Sequence, residues 1–308
     1  MTDDQQAPPL RTRHRRRRGR VLRSAIVAVI VLLAVVASIA LWPRPDAEPV
    51  TSAAASVDIP TPTPAPTPTP TGFPADTGSY ELTGLPEVNV FAILPALPVN
   101  SAENPDPTGE TARPLTEAIP VWADPTGDPV AQLARDYRYG GTTVPILERQ
   151  DDWVHVLLTG RQALPSQGES GQITGWLRVQ DVELGAVDSR IEVDLSDRTV
   201  DIVTGADRER VAVDFASGRQ DTPTPTGRSF IMHVEVTSFA YTRGHPIVYL
   251  SVQSPTLDDF DDSDAAVTAF HYHDDRAGAI SNGCIRLDAA AIDRLAELPV
   301  GTAVVIRE

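Results

Sequence analysis

Cys284 is the only cysteine in the chain, and two of the six histidines, His271 and His273, stand shortly before it. A free thiol is only a few per cent thiolate at neutral pH, so a cysteine nucleophile needs a base beside it. Val267, Ala269, His271 and His273 alternate with Thr268, Phe270 and Tyr272. That period of two predicts a strand with both imidazoles on one face. Ser281-Asn282-Gly283 then predicts a turn that presents Cys284 on a backbone free to bend at glycine. The chemistry this suits is acyl transfer. The thiol attacks a carbonyl, the imidazole takes its proton, and backbone N–H groups near Gly283 and Cys284 hold the oxyanion. Either His271 or His273 could be the base.

Other chemistries fit less well. A papain-like peptidase places its histidine after the cysteine, and no histidine follows Cys284. A sortase shares the order His, Cys, Arg, but T-L-x-T-C is absent. A metal set of His271, His273, Asp274 and Cys284 is conceivable, but the acyl-transfer reading expects no metal and no cofactor. One cysteine cannot close an internal disulfide, which leaves a buried inert thiol or a reactive one.

The elements that must position these groups begin near residue 189. Residues 191–196 and 199–203 predict a hairpin. Strands are expected over 210–215, 229–236 and 247–252, and the run Asp221-Thr222-Pro223-Thr224-Pro225-Thr226-Gly227 is confined to a loop or sheet edge by its prolines. Residues 258–264 are an acidic loop, read as a solvated turn or a lid. Asp288 predicts an N-cap for a helix over 289–298, which Pro299 and Gly301 end, and a last strand over 302–307 closes the sheet.

Three blocks in order, the hairpin, T-P-T-P-T-G and Ser281-Asn282-Gly283-Cys284-Ile285-Arg286, resemble the L,D-transpeptidase (YkuD-type) family of bacterial cell-wall enzymes. The chain departs from that family at Asn282, where a second histidine is usual, and in a shorter loop between His271 and Ser281. The resemblance implies a β-rich sandwich with one short helix after the cysteine, with Cys284 as nucleophile. Ala269-Phe270-His271 matches the family's lead-in to the base, which favours His271 over His273. It implies peptidoglycan stem peptides as partners. A tetrapeptide donor would lose its terminal D-alanine, and an amine on a neighbouring stem would accept, giving a 3→3 crosslink. It also implies inhibition by carbapenem-type β-lactams. Arg286 is the candidate for orienting the loop or pairing with a stem carboxylate. Tyr249 and Tyr272 are candidates to line the cleft.

The rest of the chain reads as an anchor, a tether and a second module. All 26 basic residues are arginine, against 42 acidic ones, and eight arginines precede Pro43. The acidic bulk excludes nucleic acid as a partner. Residues 1–23 form a basic tail expected to be cytoplasmic. Residues 24–42 are an apolar run that would make a helix of roughly 28 Å, enough to cross the membrane. The arginines before it place the remainder outside the cell, as a single-pass membrane protein, with a cleaved signal peptide the rival reading. Residues 43–111 read as a Pro/Thr-rich linker, mostly disordered, with polyproline II composition over 60–71. Residues 112–186 predict a small β-barrel whose V-W-A-D-P, D-D-W-V-H-V and G-W-L blocks resemble bacterial SH3-like domains. Its Trp122, Trp153 and Trp176 could fill the core or line a ligand groove. The catalytic domain spans 189–308, and the whole chain is mainly β.

Overall fold

The computed structural model describes residues 72–137, 139, 141–260 and 264–308. The basic tail, the apolar run 24–42 and the Pro/Thr tract 60–71 lie outside the described residues. No helix among the described residues is long and apolar enough to cross a membrane.

The chain from β1 (Glu110–Pro114) onward is almost all strand. β2 (Ala118–Val121) and β3 (Ala131–Ala134) form a hairpin, joined by the Asp124–Gly127 turn, whose Gly127 N–H donates to the Asp124 carbonyl. β4 (Val144–Arg149), β5 (Trp153–Arg161), β6 (Gln172–Arg178) and β7 (Val182–Ala186) join β1 in a five-stranded sheet of order β6-β5-β4-β1-β7. Trp122 and Trp153 are wholly buried and meet edge-on with ring centroids 5.0 Å apart.

The expected linker is shorter than the sequence suggests, because its C-terminal part is packed. Val88, Val90, Leu94 and Leu97 are buried in the same core as Ile146, Val156 and Ile173. Single backbone bridges, Glu87 to Gln132, Ile93 to Arg161 and Val99 to Ile173, tie this stretch to the module. Val88 to Leu97 is the apolar part of the expected linker (Val88, Val90, Phe91, Ile93, Leu94), which could pack as an extra strand; it packs, but through isolated bridges and not as a strand.

The second sheet has ten strands. In chain order these are β8 (Ser189–Asp194), β9 (Thr199–Thr204), β10 (Asp207–Val213), β11 (Ala216–Gly218), β12 (Gly227–Val236), β13 (Pro246–Gln253), β14 (Val267–Tyr272), β15 (Gly278–Ser281), β16 (Ile285–Leu287) and β17 (Ala303–Arg307). Their spatial order is β10-β9-β8-β17-β12-β13-β14-β16-β11-β15. The alternation in β13 decides its faces. Val248 and Leu250 enter the core formed by Ile191, Phe270, Ile285 and Ile306, while Tyr249 turns the other way, against the core of the first sheet. One helix, α1 (Ala289–Ala296), follows β16 and buries Ala291, Ile292 and Leu295 on that sheet's core. Asp288 caps it as expected, its carboxylate accepting from Ala291 N–H at 2.9 Å. Such a cap contributes about 1 kcal/mol.

The two sheets are not separate bodies. Phe230 and Met232 of β12 lie in the core of the first sheet. Gln172 donates to Ser251 Oγ at 2.9 Å, and Gln253 donates to the Val90 carbonyl at 2.7 Å. Apolar burial and buried hydrogen bonds thus join the module to the sheet that carries the thiol.

Candidate active site

β14 and β16 run parallel, with Phe270 beside Ile285, His271 beside Arg286 and Tyr272 beside Leu287. Successive side chains alternate across a sheet. Phe270, Ile285 and Leu287 fill the core, so the other face carries His271 and Arg286. One residue before β16, Cys284 sits on that same face, diagonal to His271. Diagonal neighbours lie within reach of a long or ring-bearing side chain. A cavity of ≈ 350 Å³ opens here, lined by His271, His273, Ser281, Asn282, Cys284 and Arg286. A larger cleft of ≈ 610 Å³, between the ends of β1, β8 and β17, contains no thiol or imidazole.

The turn before the thiol is built by Ser281. Its hydroxyl donates to the Cys284 carbonyl at 2.6 Å and accepts from Gly283 N–H at 3.1 Å. Gly283 takes φ of 114°, a backbone conformation that side chains oppose. The T-P-T-P loop braces the turn from below: Thr222 Oγ1 and the Arg219 N–H both donate to the Ser281 carbonyl at 3.1 Å. Since Gly283 N–H is spent on Ser281, it is not free to serve as an oxyanion donor, contrary to expectation.

The two imidazoles differ in which nitrogen carries the proton. His271 Nδ1 lies 2.9 Å from the Tyr272 carbonyl, which can only accept, so Nδ1 is the protonated nitrogen and Nε2 has a free lone pair. His273 Nδ1 accepts from Asp275 N–H at 2.9 Å, so in the neutral ring Nε2 carries the proton. Burial lowers the His271 pKa to about 4, with Arg286 and His273 adding to the effect against the Tyr272 hydrogen bond. Burial also raises the Cys284 thiol, against lowering contacts from the Ala269 backbone and Arg286. Both directions favour the neutral thiol and the neutral imidazole.

The structure assembles Cys284, His271, His273, Ser281, Asn282, Gly283 and Arg286, but leaves Tyr249 and Tyr272 outside. Tyr249 packs on Tyr139 and His233 at the junction of the sheets, with ring centroids 6.4 and 6.1 Å away. The alternation that sends His271 into the cavity sends Tyr272 to the opposite face. There its hydroxyl donates to Asp274 at 2.8 Å. Asp274 is turned to Arg243 as well, and that contact, before the Tyr272 one, holds its pKa at about 2. The conceivable metal set is thus not drawn together; among the described residues no three His, Cys, Asp or Glu side chains form such a group.

Other residues complete the cavity unannounced by sequence. Tyr241 stands over both imidazoles, its ring 5.2 Å from His271 and 5.8 Å from His273. Burial, then the nearness of Cys284, raises its phenol. Leu257, Asp259 and Phe260 form the facing wall, at the near end of the acidic loop. The rest of that loop, 261–263, lies outside the described residues. Arg161 of β5, only 2% exposed, donates to the Leu257 carbonyl at 3.0 Å and to the Asp258 carbonyl. Ser166 accepts nothing here but donates twice to the Asp258 carboxylate, from its N–H at 3.0 Å and its hydroxyl at 2.6 Å. The first sheet thus holds the wall that faces the thiol.

Residues 188–306 match the family model described as the L,D-transpeptidase catalytic domain, YkuD. The match takes in the whole cysteine turn and every strand of the ten-stranded sheet but for Arg307, the last residue of β17. Residues 188–306 are an L,D-transpeptidase catalytic domain. No curated protein matches the chain. Among solved structures, an L,D-transpeptidase from Stackebrandtia nassauensis is 18% identical over 39% of this chain and 56% of its own, at a TM-score of 0.28. One from Enterococcus faecium is 23% identical over 39% of this chain and 50% of its own, at 0.27. One from Mycobacterium tuberculosis H37Rv is 15% identical over 51% of this chain and 91% of its own, at 0.30. The chain thus spans about half the length of the first two. In this L,D-transpeptidase domain the departure at Asn282 places an exposed amide, not an imidazole, at the cavity rim.

Proposed function

We propose that the chain is a peptidoglycan L,D-transpeptidase, held at the cell membrane by residues 24–42 with its catalytic domain outside. The observation that carries the reading is that Cys284 and His271, whose Nδ1 is engaged by the Tyr272 carbonyl, line one cavity beside the paired strands β14 and β16. Cys284 attacks the carbonyl of the penultimate residue in a tetrapeptide stem as His271 Nε2 takes the thiol proton. A neutral resting pair makes this general-base catalysis, with proton transfer and attack coupled. The Cys284 N–H and the His273 Nε2–H are the donors for the oxyanion, a contribution of ~3 to 4 kcal/mol per donor. Collapse breaks the C–N bond. His271 returns the proton to the leaving amine of D-alanine, and a thioester remains on the sulfur. The side-chain amine of a neighbouring stem then attacks, losing a proton to His271, and releases the thiol with a 3→3 crosslink formed. Arg286, whose buried Nε has no partner among the described residues, suits a stem carboxylate.

On this reading the first sheet is an SH3-like module that buttresses the site, and carbapenem-type β-lactams acylate Cys284 in place of the stem. The test is incubation of the purified chain with a tetrapeptide donor and an amine-bearing stem, with products weighed by mass spectrometry. A dimer lighter than the sum of its parts by one alanine supports crosslinking. Donor that remains intact contradicts it.

A further inference from the structure

Residues 73–80 lie against the aromatic face of the first sheet, yet among the described residues they make no backbone-to-backbone hydrogen bond with it. This sets them apart from residues 87–99, which are bridged into the module through their backbone. Side chains of the module do the holding instead. Trp153 Nε1 donates to the Pro74 carbonyl at 2.8 Å, Gln180 to the Asp76 carbonyl at 3.0 Å and Arg178 to the Gly78 carbonyl at 2.7 Å. Gln150 accepts from the Phe73 N–H at 2.8 Å. The three engaged carbonyls are two residues apart, the spacing that an extended chain presents to one side.

Aromatic contacts close both ends. The Phe73 ring meets Trp176 edge-on at 5.4 Å, and Trp176 stacks on His155 at 4.8 Å. The Tyr80 ring meets Trp122 edge-on at 5.4 Å, with the Arg178 guanidinium 5.2 Å from Trp122. Donors aimed at main-chain carbonyls, two of them buried (Trp153 and Arg178) and flanked by aromatic rings, recognise an extended peptide with little dependence on its inner side chains.

We propose that this face is a peptide-binding site for extended segments with aromatic ends, filled in cis by the chain's own residues 73–80. The occupant is exchangeable, because side chains rather than a strand ladder retain it. A cis ligand on a short connection acts at an effective concentration on the order of millimolar, so it masks the site from a dilute competitor. The proposal is independent of the catalytic reading.

The test uses the full chain with a protease site inserted in the exposed turn between Thr83 and Gly84, cut after folding. A labelled peptide of residues 72–82 is then added. The expected result is release of the severed segment on gel filtration and saturable 1:1 binding of the peptide. Phe73→Ala in the peptide alone should weaken binding at least about tenfold, and the uncut chain should bind it far more weakly than the cut one. Retention of the severed segment with no peptide uptake, unfolding of the cut chain by near-UV circular dichroism, or equal binding of the Phe73→Ala peptide would each overturn the proposal and make residues 73–80 part of the core.

Discussion

His271 and His273, with ring centroids 6.2 Å apart, carry their protons on opposite nitrogens. Backbone groups within two residues of each ring enforce this, a carbonyl on one and an N–H on the other. The same cavity therefore receives one imidazole able to accept a proton and one able to donate a hydrogen bond.

The two histidines should fail differently when replaced. His271→Ala removes the base and should slow acylation of Cys284 by about 10²- to 10⁴-fold. His273→Gln keeps a donor and should cost less than about tenfold, one hydrogen bond's worth of ~1.4 kcal/mol. Stopped acylation time courses read by intact mass would check the order; an equal loss in both variants would move the base away from His271.

The pH response follows from the His271 value of about 4. Acylation should stay level from about pH 8 down to about pH 5 and fall only near pH 4, not near the ordinary histidine value of ~6.5. Stability has its own window. A depressed histidine is neutral in both states above ~6.5, so nothing is lost there. Below that the unfolded chain binds the proton first, and folding weakens progressively down to about 4, by roughly 3 kcal/mol in all. Urea midpoints at stepped pH should show this slope in the parent chain and lose it in His271→Asn.

Ser281 ties the turn together with two hydrogen bonds. Ser281→Ala leaves the buried Gly283 N–H without its partner and should destabilise the fold by about 1 to 3 kcal/mol. Thermal melts measure that cost. Acylation should fall too, since the Cys284 amide is no longer aimed.

Much of this was legible in the residues themselves. The alternation through His271, the Ser281–Cys284 turn and the Asp288 cap are local patterns, and the structure forms all three. The same alternation excludes Tyr272 from the cavity, and in β13 it turns Tyr249 to the module. Tyr241 and Leu257 were not legible, because neither sits in a strand and folding alone brings them to the thiol. Arg161 was still less so: it holds the Asp258 carbonyl from 97 residues away.

Arg161 offers a check on the role of the first sheet. Arg161→Met should release the Leu257–Phe260 wall and raise KM by about tenfold, equivalent to ~1.4 kcal/mol, with kcat little changed. Arg161→Lys restores charge but not the fork that reaches two carbonyls, so it should recover only part of the loss. A fall in kcat alone, at constant KM, would argue that the wall does not contact substrate.

The most direct measurement is the intact mass of the chain after brief exposure to a tetrapeptide stem. The expected result is one adduct, equal to the mass of the donor less one free D-alanine, mapped to Cys284 and missing from a folded Cys284→Ala variant. An adduct that survives in that variant, or none in the parent chain while the donor is consumed, would contradict it.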